Sequence, residues 1–368
     1  MATKRPGEFS ALTTKRVRPD EPEGQQLVVS SDGTGKGQLI QTVKRTSGLA
    51  APIMVLSGHS AEVLDVKFDA SGDHLASASM DRTINLWSVY GDECRNYGVL
   101  HGPKGAITSI EFSPLRPLQR LYAGSADKTL TTFDLKSGES VRRNRSHGAI
   151  LNSISVSGVS GHELVASASD DGTIRIWREE DKDCIDLFEL GYPLTAVEWS
   201  SDGQQLFVGG LDNDIHCFDL RNKKVSLSLR SHTDTIAGLK LSPDGSFLLS
   251  AGFDDTVRIW DVRPFAPVNN MNGLNYPSRL VQTLLGAPAG FDNQLRKPTW
   301  DPTGDKVAVG SADRTLCIWK VSNGNILYKL PGHKGTVTSC EFHPREPIIA
   351  SGGVDRQVFL GEIDPMAR

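Results

Sequence analysis

The sequence predicts an all-β protein built from seven four-stranded units, and three observations carry that expectation. The first is a repeated frame. "SMDRTINLW" (79–87), "SADKTLTTF" (125–133), "SDDGTIRIW" (169–177), "GLDNDIHCF" (210–218), "GFDDTVRIW" (252–260), "SADRTLCIW" (311–319) and "GVDRQVFLG" (353–361) each place an aspartate third. These aspartates, Asp81, Asp127, Asp171, Asp212, Asp254, Asp313 and Asp355, lie 46, 44, 41, 42, 59 and 42 residues apart. The second is a short apolar run ahead of each copy, such as "LASAS", "LVASAS" or "IIASGG". The third is a glycine turn before that run, such as "SSDG" or "DPTG", preceded in turn by an alternating stretch such as "VLDVKF" or "TAVEW". Glycine supplies the positive φ of a tight turn, and short, evenly spaced strands between turns mean an all-β fold. A period in the low-to-mid forties means four-stranded propeller blades, here seven of them.

Taken in chain order, residues 1–48 are rich in Gly, Ser, Thr, Gln and charge and poor in aromatics, so they are expected to form a disordered tail. Within them "KRVRP" offers Lys15, Arg16 and Arg18 as a candidate nuclear import signal. "SDGTGKGQ" (31–38) lacks phosphate-loop spacing and a following helix. Residues 49–364 form the propeller. The last copy ends after three strands, and residues 52–56 are expected to add the fourth, which removes an open edge between the chain ends. The 59-residue interval follows "DVRPFAP", where Pro264 and Pro267 cannot donate to a sheet ladder and force an exit. "RLVQTLLG" (279–286) is expected to return as the outer strand of blade five.

The Gly-His and Trp-Asp punctuation of these units resembles the WD-repeat family. That resemblance implies a buried hydrogen-bonded set of His, Ser, Asp and Trp. Here the expected sets are His59, Ser77, Asp81 and Trp87; His147, Ser167, Asp171 and Trp177; His232, Ser250, Asp254 and Trp260; and His333, Ser351 and Asp355 without a tryptophan. In blades two, four and six the His slot holds Pro103, Leu190 and Phe291, and the Ser slot holds Ala123, Val208 and Val309. The two slots change together because a buried imidazole or hydroxyl without its partner costs roughly 1–3 kcal/mol. A constellation repeated four times is structural, not a catalytic triad. "HGPKG" (101–105) departs from Gly-His and is expected to loosen blade two.

Further stretches narrow the resemblance: "LAAPIMVLSGH" (49–59), "LWSVYGD" (86–92), "GGLDNDIHCFDLR" (209–221), "VRIWDVRPFAP" (257–267), "GSADRTLCIW" (310–319), "ILYKLPGH" (326–333) and "EPIIASGG" (346–353). Together they resemble the WD-repeat proteins of the U5 small nuclear ribonucleoprotein. The resemblance implies a nuclear, non-catalytic adaptor in pre-mRNA splicing, acting through protein partners and foremost the large U5 scaffold protein. It implies no cofactor, metal or small-molecule substrate. The alternative is a substrate receptor of a cullin-RING ubiquitin ligase, because "WDVR" (260–263) matches a WDxR box and exposes Arg263 as its reader.

Interface candidates are the residues just before the turn aspartates, above all Met80, Leu211, Phe253 and Val354, because sizeable apolar side chains at exposed turns mark contact sites. Residues 1–50 carry net +3, so the rest of the chain carries −7 of the total −4. A propeller of that charge is a poor phosphate binder, and association with RNA is expected to be mainly indirect. No run of eighteen apolar residues is present to span a membrane. Five scattered cysteines, none in a CxxC pair, read as reduced thiols.

Overall fold

The apolar runs ahead of the turn aspartates become the second strands of seven antiparallel sheets. A computed structural model describes residues 45–91, 94–115, 119–145, 147–158, 161–181, 183–266 and 279–364, with the backbone alone of 25–30 and 38–43. Lys15, Arg16, Arg18 and residues 267–278 lie outside the described residues. The N-terminal unit, 1–48, contains an antiparallel pair, Gln25–Ser30 with Gln38–Val43.

Each sheet of the second unit has four strands, which run in sequence order from inner to outer in the first six blades. Blade one comprises Val63–Phe68, His74–Ser79, Thr83–Ser88 and Asn96–His101, and the six others repeat the plan. Inner strands pack side by side around the ring, and Val337–Phe342 of blade seven meets Val63–Phe68 of blade one. The fourth strand of blade seven is Ile53–Ser57, paired with Gln357–Glu362 and one residue displaced from the expected 52–56. Leu280–Leu285 is the outer strand of blade five.

A register shift recurs in six inner strands, between Val63 and Asp65 in blade one and at matching places in blades two, three, four, five and seven. The bulged residue aims its side chain at the next blade. Thr108 Oγ1 donates to the Leu151 carbonyl at 2.6 Å, Asn152 Nδ2 to Leu194 at 2.8 Å, Thr195 to Ile236, and Thr338 Oγ1 to Val63 at 2.6 Å. Blade six departs from the pattern. Pro298 has no N–H to offer, so its inner strand shortens to Thr299–Trp300. There the fully buried Arg296 turns back instead, with Nη1 to Ala287 O (2.8 Å) and Nη2 to Gly252 O (2.6 Å).

The same inner-strand position in each blade faces the axis, and it carries Lys67, Glu111, Ser155, Glu198, Lys240, Thr299 and Glu341. Lys67 pairs with Glu111 (3.0 Å) and Glu341 (3.3 Å), and Lys240 with Glu198 (3.2 Å) and, across the axis, Glu111 (3.6 Å). Lys297 reaches from blade six to Asp65 of blade one (2.6 Å) and the Thr108 carbonyl of blade two (2.8 Å). Burial opposes charge on Lys67, but Glu111 and Glu341 outweigh it and raise its pKa. Burial likewise opposes charge on Glu111, and Lys67 and Lys240 outweigh it and lower its pKa. At Glu341 burial wins and the pKa rises. The space left beside this cluster is about 30 Å³.

Candidate interaction surface

The face that carries the turn aspartates is built from two segments per blade, the bend between second and third strands and the chain leading into the inner strand. They are tied by backbone bonds, as in Met80 N to Glu62 O (2.9 Å), Phe253 N to Thr235 O (2.9 Å) and Val354 N to Thr336 O (2.9 Å). Beneath them lie the networks. In blade one His59 Nδ1 is 2.9 Å from Asp81 Oδ2, His59 Nε2 is 2.7 Å from Ser77 Oγ, and Trp87 Nε1 donates to Ser77 Oγ at 2.8 Å. Blade three repeats this with His147, Asp171, Ser167 and Trp177 at 3.0, 2.7 and 2.8 Å. Blade five does so with His232, Asp254, Ser250 and Trp260 at 2.9, 2.7 and 2.8 Å. In blade seven His333 meets Asp355 (3.0 Å) and Ser351 (2.9 Å), and the Phe359 ring lies 4.5 Å from the imidazole in place of an indole.

Direction follows from chemistry. A carboxylate only accepts, so Nδ1 carries the proton, Nε2 accepts the serine hydroxyl, and serine accepts the indole N–H. Burial lowers the pKa of His147, His232 and His333 against the pull of their aspartates, which keeps the imidazoles neutral. Burial pushes the Asp81 and Asp171 carboxyls up, but donors outweigh it and hold both at about 2: Thr83, His59 and the Ser60 N–H on Asp81, and Thr173, the Gly148 N–H and His147 on Asp171. The imidazole and carboxylate of each relay are therefore engaged inside the blade.

The three blades without this set solve the same problem in another way. Asp127 of blade two takes Arg143 from the outer strand and the Lys104 N–H (2.6 Å). Asp313 of blade six takes Lys329 from the same outer-strand position (3.1 Å). Asp212 of blade four takes His216 from the third strand (2.6 Å), and Ser228 holds the other ring nitrogen at 2.9 Å. Each turn aspartate thus has a basic partner. Blade two has four strands, and Arg143 with the Lys104 N–H stands at Asp127 where the missing histidine would be. The one signal available in sequence was the shared offset of Arg143 and Lys329, sixteen residues after their aspartates. Asp212, Asp214 and His216 also gather ligand atoms, but His216 is taken by Asp212 and Asp214 by Arg230 at 3.0 Å.

Of the candidate contact residues, Met80 and Leu211 are each 50% exposed, whereas Phe253 and Val354 are half-buried. Phe291, at the His slot of blade six, is fully exposed on the same face and escaped the sequence reading. Arg263 lies at the other end of the third strand. Its guanidinium is turned onto Asp261 (Nε to Oδ1 2.9 Å) and lies 5.8 Å from the Phe247 ring centre.

The family model described as WD domain, G-beta repeat matches residues 50–88, 94–134, 138–178, 223–261, 289–320 and 324–360. The pre-mRNA-splicing factor cwf17 of Schizosaccharomyces pombe is 42% identical over 88% of this chain and 91% of its own length. The U5 small nuclear ribonucleoprotein 40 kDa proteins of Dictyostelium discoideum and Homo sapiens are 40% and 41% identical, covering 94% and 98% of both chains. The chain belongs to this family of WD40-repeat proteins.

The first three strands of blade four fall outside the repeat model, and a second model, the anaphase-promoting complex subunit 4 WD40 domain, covers them within 159–238. In blade four Leu190, Val208 and Phe218 stand in the His, Ser and Trp slots, as Pro103, Ala123 and Phe133 do in blade two, and His216 serves Asp212 instead. The ligase-receptor alternative finds no support in these relatives, and Arg263 is already engaged by its own blade.

Proposed function

We propose that this WD40 protein is a non-catalytic scaffold of the U5 small nuclear ribonucleoprotein that serves pre-mRNA splicing in the nucleus. The observation that carries the reading is identity of 40–42% with splicing proteins over about nine-tenths or more of both chains. The partner is protein, foremost the large U5 scaffold protein, and contact with RNA is mainly indirect. Met80 and Leu211 anchor the contact on the turn face, with Phe253 and Val354 at their flanks. The His–Ser–Asp sets support a structural role: the Ser77, Ser167, Ser250 and Ser351 side chains are buried beside an indole or imidazole, away from solvent. Affinity purification of the tagged chain from nuclear extract, probed for U5 RNA, tests the reading. Wild type is expected to recover U5 RNA, and a Met80→Asp, Leu211→Asp variant to lose it. Failure of wild type to recover U5 RNA refutes the function. Equal recovery by the variant refutes the placement of the contact.

A further inference from the structure

At each bend, the residue directly after the turn aspartate adopts the left-handed conformation. Gly172 fills that place in blade three (φ 75°), Asn213 in blade four (67°) and Asp255 in blade five (61°). In blades six, seven, one and two it is filled by Arg314 (68°), Arg356 (69°), Arg82 (71°) and Lys128 (71°). A residue with a Cβ is strained there and glycine is not. Since glycine serves the identical turn of blade three, turn geometry does not call for four long cations. They fall on consecutive blades of the ring.

Two more lysines join them. Lys104 and Lys334 lead into blades two and seven, and their backbone N–H groups bond Asp127 (2.6 Å) and Asp355 (2.9 Å), which fixes both on the same rim. All six residues are exposed. Among the described residues no carboxylate pairs with any of these six side chains, and Lys128 Nζ donates to the Gly148 carbonyl at 2.5 Å. The rim of blades three to five carries Asp170, Asp234 and Asp255, whereas the basic half sets Glu62 and Asp292 beside its six cations. Two apolar side chains stand within the basic half, Met80 beside Arg82 and the fully exposed Phe291. Phe291 is held between blades six and seven, because Gly290 packs on Ala312 and Asp292 accepts from Thr336 Oγ1 (3.3 Å).

We infer that this basic crescent over blades six, seven, one and two is the docking site for an acidic segment of another protein chain that also carries bulky apolar side chains. The inference rests on the scaffold reading above and names the chemistry of the segment that docks beside Met80, on the half of the face away from Leu211. Charge complementarity steers and orients such a segment, while Met80 and Phe291 give it apolar footholds. A long phosphate polymer fits less well. The rest of the same rim is acidic, and residues 51–368 carry net −7.

The test uses the full chain in the purified particle. A zero-length carbodiimide joins lysine amines to carboxylates, and Lys104, Lys128 and Lys334 are expected to link to aspartate or glutamate of a partner protein. A triple variant, Arg82→Gly, Arg314→Gly and Arg356→Gly, relieves strain at three turns, so it should melt at or above the wild-type temperature. Its incorporation into the particle should fall at least tenfold, and wild-type association should weaken as salt rises. Equal incorporation of the glycine variant overturns the inference, as does ultraviolet cross-linking of these lysines to RNA in place of carboxylates. Absence of the wild-type chain from the particle overturns the scaffold reading itself, which separates the two failures.

Discussion

Ser250→Ala in blade five is the sharpest perturbation of the relay. Ser250 is fully buried, donates to His232 Nε2 and accepts from Trp260 Nε1 at 2.7 and 2.8 Å. Its removal strands one buried acceptor and one buried donor, each costing roughly 1–3 kcal/mol. The two share one hydroxyl, so their costs add incompletely and a total of about 3 kcal/mol is expected. Unfolding entropy of ~2 cal/mol/K per residue over the 320 residues of Leu49–Arg368 converts that to a drop of about 5 °C in melting temperature. Differential scanning calorimetry reads it, with Ser140→Ala on the exposed outer strand of blade two as control. In a Trp260→Phe background the same serine change should cost less, because the indole donor has gone. A Ser250→Ala shift no larger than the control, or an undiminished cost in that background, refutes the relay.

Three further outcomes follow from the structure. The histidines with lowered pKa bind protons in the unfolded chain before the folded one, so stability is intact above about pH 6.5 and falls below it. It falls again as Asp81 and Asp171 are protonated between 3.8 and about 2. Urea midpoints at pH 7.5 and 5.5 check this, and greater stability at the lower pH contradicts it. Lys297→Met leaves the buried Asp65 without its ammonium partner and should cost roughly 3–5 kcal/mol, with much of it recovered by adding Asp65→Asn; equal melting of the single and double variants rules the pair out. Deleting residues 1–48 should leave the melting temperature unchanged, whereas deleting 1–57 removes the strand paired with Gln357–Glu362 and should lower it steeply; identical melting of the two truncations would show that the strand does not close the ring.

What was legible in the sequence was whatever repeats. The turn aspartates, the apolar second strands and the paired His and Ser slots share one frame, so seven imperfect copies reinforce one another. The outer strand of blade seven was found to within one residue because three strands without a fourth leave an edge that has to be filled. The partners of Asp127, Asp212 and Asp313 were not found. Arg143 and Lys329 sit on outer strands and His216 on a third strand, where a basic residue looks ordinary, and only strand register turns them toward the aspartates. The axial charges were hidden for a different reason. Lys67, Glu111, Glu198, Lys240 and Glu341 each read as one polar residue in an alternating strand, and they meet only when the ring is closed. Phe291 was read as a missing histidine, and its full exposure shows only in the fold, where Gly290 and Asp292 hold it between blades six and seven.

The pairing of Ile53–Ser57 with Gln357–Glu362 sets a schedule for synthesis. The first strand of the propeller to leave the ribosome has no partner until the last one follows, about 300 residues later. At 5–20 residues per second that is a wait of roughly 15–60 s. During it six blades can form, but the early strand stays an unclaimed edge, open to the wrong neighbour. A nascent chain of this design therefore needs shielding of its amino-terminal end until translation is finished, and it is ready for assembly only after its two ends have met.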